Sequence, residues 1–426
     1  MKGRFAFVLL AGMLVALVAV SNDSLWIDEL GTAVISMPST LHGWWQAIYT
    51  VHNSNLQLPL YMLYIWAWVR MAGISALALR DANIPWFLLG LWAIYHFLKR
   101  HPRLRFFTVL LYCVHPFVWY YLSEVRPYTM QLGGELLAYG AFFQALDEPE
   151  KPLTASWWWL FLAGIFLLCA VGLLGVPWAA AVCLCMLMRR DFLSSAFRSG
   201  LPAVLVVAPA LLALAVYYAW TLQTDARPTI SNMRLTSILF VFYEQLGFVG
   251  LGPGRLEIRS SGVRVFLPFI PALCGLGLPL AYAIACGAAE GFGIPKSKRI
   301  AIFLAVLIPC AAIFALGYLK HFLVLGRHLM PMFPFLLLAV AFALHRLWDG
   351  GRLINRVVVV LVFAGLTASA MECRFAYRHR RDDYCDAAAI VKSALAHGER
   401  VWWAGDFGAT VYYHLPLSYT LQGGNL

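Results

Sequence analysis

Charged residues make up only 12% of the 426 positions, about half the share of a water-soluble domain. That scarcity excludes an ordinary soluble enzyme and a disordered chain. The apolar runs are continuous rather than alternating, which excludes a β-barrel. They recur to about residue 371, which excludes a single anchor on a soluble head. There is no Walker-type glycine loop, no G-x-S-x-G elbow and no H-E-x-x-H pair, so no nucleotide cradle, serine elbow or zinc-protease helix is on offer. Acidic residues inside the apolar runs are nearly absent, whereas an ion or proton pathway needs several. No pair of half-broken helices related by inverted symmetry stands out, nor does any tandem repeat or low-complexity tract. The net charge of +11 lies in short loops between apolar runs, with no basic–aromatic surface for nucleic acid.

What is present is hydrophobicity, 62% of the residues. A membrane helix needs about 20 apolar residues. About eleven stretches qualify: Lys2–Val20, then 82–98, 106–121, 128–146, 156–170, 177–188, 201–221, 263–288, 299–318, 329–346 and 355–371. The fold class is therefore an all-α polytopic membrane protein. The N-terminus resembles a signal peptide and reads as an uncleaved first span running from inside to outside.

The apolar segment 57–72 is short and ends at Arg70; counting it as a span inverts everything after it. Basic residues settle the parity. If 57–72 does not cross, the inner loops hold sixteen Lys and Arg, dense at Lys99–Arg105, Arg189–Arg198, Lys296–Arg299 and Arg346–Arg356. The opposite short loops hold ten over a greater length, including a contrary cluster at Arg255–Arg264. The expectation is a juxtamembrane or re-entrant helix within a first outer loop, 22–81. The expected organisation is a membrane domain, 1–371, and a small outer α/β segment, 372–426. In that segment "DDYCDAAAIVKSALAHG" reads as a helix, "RVWWAG" as a strand and "ATVYYHL" as a second helix or strand. Seven cysteines lie in apolar runs and read as packing residues. Cys373 and Cys385, in the tail, read either as a disulfide or as free thiols.

Four short motifs carry possible chemistry. In "SLWIDEL", Asp28 and Glu29 follow the first span closely, where charge is expensive and tends to be functional. A carboxylate in a partly dry site suits a general base; the bland alternative is an acidic first turn capped by Ser24. In "NSNLQLPLYMLY" and the His52 before it, His52, Asn53, Asn55 and Gln57 suit sugar hydroxyls or a metal, or else form a polar loop before an amphipathic helix. In "YYLSEVRPYTM", Arg126 suits a phosphate oxygen, or pairs with Glu124 beside an interfacial Tyr128. In "YLKHFLVLGRHLMPMFP", Lys320, His321, Arg327 and His328 flank a short apolar hairpin. Cations beside apolar helices suit a lipid-linked phosphate; the alternative is snorkelling at span ends.

The order of these motifs, with Leu58-Pro59-Leu60-Tyr61, Arg80 before the next span, Gly326-Arg327-His328 before Pro331 and the outer tail, resembles the GT-C membrane glycosyltransferases. Within them it is most similar to the protein O-mannosyltransferases (family 39) and the aminoarabinose transferases that modify lipid A. The resemblance covers most of the chain. It implies transfer of a sugar from a polyprenyl-phosphate donor to a hydroxyl acceptor (lipid, glycan or protein) on the outer face. It implies Asp28 as the catalytic base and Glu29 as an orienting residue or a ligand of a possible divalent metal. Arg126, Tyr128, Lys320, Arg327 and His328 would bind the donor and its lipid phosphate, and His52, Asn55, Gln57 and Tyr61 the sugar or acceptor. Members commonly have a histidine and two prolines before the tyrosine of the second motif. Here the stretch is Gln57-Leu58-Pro59-Leu60-Tyr61, so His52 would have to supply any such ligand. The short chain points to a bacterial inner-membrane enzyme with a periplasmic site. Two other readings are a non-catalytic lipid-linked-glycan flippase or assembly subunit, and a different head-group transferase. The first lacks the charged path it would need. The second lacks a sizeable soluble domain holding a nucleophile amid metal ligands.

Overall fold

A computed structural model describes residues 2–51, 54–224, 235–254, 257–258, 262–291 and 296–417. His52 and Asn53, the basic residues Arg227, Arg234, Arg255 and Arg259, and positions 418–426 of the tail lie outside them.

The described chain is helical. In order come α1 (Lys2–Ala19), α2 (Ile27–Ser36), α3 (Leu41–Val51), α4 (Pro59–Ala72), α5 (Ala76–Asp81), α6 (Ile84–Phe97), α7 (Pro102–Val114), α8 (Pro116–Leu122), α9 (Tyr128–Asp147), α10 (Ala155–Val171) and α11 (Val176–Met186). Then follow α12 (Leu201–Thr224), α13 (Leu235–Gln245), α14 (Ile270–Ala289), α15 (Lys296–Leu319), α16 (Phe333–Asp349), α17 (Leu353–Phe375), α18 (Tyr384–Ala396) and α19 (Phe407–Tyr412). Among the described residues, five helical segments are long and apolar enough to cross a membrane: Phe192–Gln223, Arg264–Ala289, Lys298–Leu319, Gly326–Asp349 and Leu353–Phe375. The protein is a multi-pass membrane protein; the other expected spans are helices that are shorter or less apolar.

Helix α9 is the centre, buried on nearly all faces and packed between α6 and α10. Glycine permits the approach: a Cβ on Gly133 would sit 2.8 Å from the Trp86 carbonyl oxygen of α6. Small residues at such contacts let apolar helices pack closely where lipid offers no hydrophobic drive. Helices α14, α16, α17 and α7 form a second packed group, and α11 leans on α15.

The segment 106–121 is not one span. It breaks at His115, whose φ/ψ of −75°/125° is extended. Proline at 116 explains this, because it disfavours helical backbone in the residue before it. The segment 57–72 is helical from Pro59, as α4. With α2, α3 and α5 it builds a separate apolar cluster around Leu30, Ile35, Ile48, Tyr61 and Ile65, closed by Ala409 of the tail.

The tail's expected strand is absent, and the described residues contain no strand. Residues 401–406 form a loop in which the Trp403 indole donates to the Asp406 carbonyl at 3.1 Å. A lone strand has no neighbour to accept its backbone bonds. Cys373 and Cys385 are not joined in a disulfide.

Candidate active site

Helix α2 begins after Trp26, not at Ser24. Its first turn is closed by Glu29, whose carboxylate reaches back to the Trp26 N–H at 3.2 Å. Ser24 is used elsewhere: its hydroxyl accepts the Cys385 N–H at 3.1 Å and bonds with the Tyr413 hydroxyl at 3.3 Å. This ties the tail to the chain just before α2.

Adjacent residues on a helix point about 100° apart, and that rotation separates the two acidic side chains. Glu29 is fully buried. Arg80 binds it through Nε at 3.2 Å and Nη2 at 2.8 Å, and the Val125 N–H donates to it at 2.8 Å. Arg381 approaches to 3.6 Å. A carboxylate with both oxygens so engaged is an anchor, since every direction from which it would take a proton is filled. Arg80 is itself exhausted, its Nη atoms donating also to Ser21, Asp23 and Ser24.

Asp28 is 37% exposed, with Arg327 as its ion-pair partner at 3.7 Å. Thr32, one turn along on the same face, donates to the Asp28 carbonyl at 3.2 Å and accepts from Arg126 at 3.4 Å. Arg126 also donates to Asn55 Oδ1 at 2.6 Å. Arg126 is buried, and no carboxylate ion-pairs with it among the described residues. It therefore holds positive charge within one helical turn of Asp28. Tyr61 lies in the same neighbourhood: burial pushes its phenol well up, opposed by the charge of Arg126.

Arg327 sits on the turn Gly326–Met332, which α13 holds in place. Glu244 accepts the Gly326 N–H at 2.7 Å, and the Gln245 amide donates to the carbonyls of Gly326 and Leu329 at 3.1 and 2.7 Å. His328 closes the turn, its Nδ1 accepting the Leu325 N–H at 3.1 Å. From the tail, Arg381 lies over the rings of Trp26 and Tyr120 and binds Glu124 at 3.2 Å. Asp406, which caps α19 through the Gly408 N–H at 2.7 Å, is pushed up first by burial, with the charge of Asp28 adding to it.

The structure thus brings together Asp28, Glu29, Asn55, Tyr61, Arg126 and Arg327. Tyr128 opens α9 with its ring against Tyr121 at 4.7 Å. Gln57 is half-buried; its backbone carbonyl accepts from Tyr218 at 3.5 Å. Lys320 is exposed at the end of α15 and makes no side-chain hydrogen bond or ion pair to the cluster. The sequence reading gave no role to Thr32, Glu244, Gln245, Arg381 or Asp406, and Arg80 served it only as a landmark. Among the described residues no three His, Cys, Asp or Glu side chains gather as a metal site.

Two solved structures share this fold from end to end. ArnT from Cupriavidus metallidurans in the apo state is 14% identical, with a TM-score of 0.52 over 98% of this chain and 85% of the other. The same protein bound to undecaprenyl phosphate is 15% identical, with a TM-score of 0.51 over 98% and 86%. No protein-family model matches the chain, and no curated relative does. The all-helical architecture that carries Asp28 and Arg327 is the fold of ArnT.

Proposed function

We propose that the chain is a membrane glycosyltransferase that moves a sugar from a polyprenyl-phosphate donor to a hydroxyl acceptor. The observation that carries this reading is the division of labour on α2. Glu29 is spent on structure, while Asp28 is open to solvent beside Arg327. The bound state of the ArnT structure, undecaprenyl phosphate, supports the donor class.

Asp28 takes the proton of the acceptor hydroxyl as its oxygen bonds to the anomeric carbon. The bond from that carbon to the phosphate oxygen breaks on the opposite face, inverting the configuration. Polyprenyl phosphate leaves with the electron pair, and Arg327 with Arg126 stabilises its charge. Asn55 orients Arg126 by accepting from its guanidinium at 2.6 Å, and Tyr61 is buried beside them. The site faces the periplasm, on the side opposite the dense basic loops, and the protein resides in a bacterial inner membrane.

The test incubates purified chain with a panel of polyprenyl-phosphate sugars and crude envelope lipid. Equimolar appearance of glycosylated acceptor and polyprenyl phosphate is expected with one donor, and the product should have the anomeric configuration opposite to the donor's. Retained configuration would exclude a single displacement, and no transfer from any donor would move weight to a non-catalytic role.

A further inference from the structure

A cavity of about 650 Å³ lies among α6, α7, α9, α15 and α16. Along α9 it runs from Leu136 to Asp147, about 16 Å. Its far end is about 30 Å from Tyr128, where α9 leaves the candidate active site. The walls are largely apolar and aromatic, with Phe97, Phe143, Phe335 and Phe342 among them. Tyr139 on this lining is 1% exposed, and its hydroxyl makes no hydrogen bond among the described residues. The volume falls in the usual range for small-ligand sites.

The end at Asp147 is ionic. Three carboxylates there have partners: Glu148 pairs with Arg100 at 2.5 Å and Lys151 at 3.1 Å, Asp349 pairs with Arg103 at 2.7 Å, and Asp147 meets the His101 imidazole at 3.1 Å. Lys99 and Lys298 line the same end and have no carboxylate partner among the described residues. A long greasy cleft ending in two lysines that no carboxylate contacts matches one chemistry, an acyl chain joined to a phosphate.

We infer that this cavity binds one anionic phospholipid, with an acyl chain between α9 and α16 and the headgroup phosphate at Lys99 and Lys298. The site is independent of the transfer chemistry proposed above. Basic pockets between membrane helices recognise anionic headgroups by charge at the surface.

The test is native mass spectrometry of the full chain in detergent, titrated with phosphatidylglycerol or phosphatidylcholine of identical acyl chains. One retained phosphatidylglycerol per chain is expected, in preference to phosphatidylcholine. In Lys99→Gln and Lys298→Gln the preference should fall about fivefold per lysine. Ala339→Trp on α16 and Ile302→Trp on α15 fill the cavity, and whichever stays monodisperse should retain neither lipid. Equal retention of both lipids by the unmodified chain, or an unchanged preference in the lysine variants, would overturn headgroup recognition. Undiminished retention in a folded tryptophan variant would overturn the cavity itself.

Discussion

Glu29→Gln is expected to cost about 3 to 5 kcal/mol of stability, because it strands the buried Arg80 and leaves Arg381 short of a partner. Asp28→Asn is expected to cost less than about 1 kcal/mol, because its pair with Arg327 is partly solvated. Denaturation midpoints of the two variants, followed by tryptophan fluorescence, measure the contrast; equal losses would mean that Glu29 is not the anchor described. The acidic pair stood out in the sequence as adjacent carboxylates just past an apolar run. Its asymmetry did not, because it is made by Arg80 and Arg381, 51 and 352 positions away from Glu29, and no local pattern links them. Asn55 and Arg126 were each visible as polar residues in separate motifs. Only folding shows that they bond to each other.

At the scale of elements, most long apolar runs form helices, while the breaks between them were harder to read. The break at His115 follows from Pro116, yet hydrophobicity alone ran straight through it. The tail's aromatic run suggested a strand, but β-propensity needs a neighbouring strand to be realised, and Trp403 turned back on its own loop instead. Docking of the tail carries a pH dependence. His379 is pushed down, first by burial and against its bond with the Gly250 carbonyl at 3.2 Å. The folded state therefore holds it neutral. The unfolded state takes up a proton as pH falls through 6.5, its ordinary value, so stability is full above that pH and declines below it. Limited proteolysis of the tail should accelerate between pH 7 and pH 5.5, and His379→Gln should flatten the profile. An identical profile in the variant would remove His379 from this role.

For the whole molecule, the scarcity of charge and the recurring apolar runs were enough to read a polytopic helical membrane protein, and the fold shared with ArnT agrees at only 14% identity. Hydrophobic patterning survives where individual residues do not, since lipid demands apolar helices whatever their sequence. Orientation rests on the basic loops. The exposed Cys385 gives a direct readout. In a chain keeping only that cysteine, a membrane-impermeant maleimide added to intact spheroplasts should label it. Labelling only after the membrane is broken would invert the topology and put Asp28 on the cytosolic side.

The most direct measurement compares polyprenyl-phosphate release by the unmodified chain and by Asp28→Asn, using an accepted donor and acceptor at matched amounts of folded protein. Asparagine keeps the size and hydrogen-bonding capacity of the side chain but cannot take the acceptor's proton. A fall of about a hundredfold or more in kcat is expected, with a melting temperature lowered by no more than a few degrees. Release at the unmodified rate would contradict this and return the question of the base to the rest of the cluster.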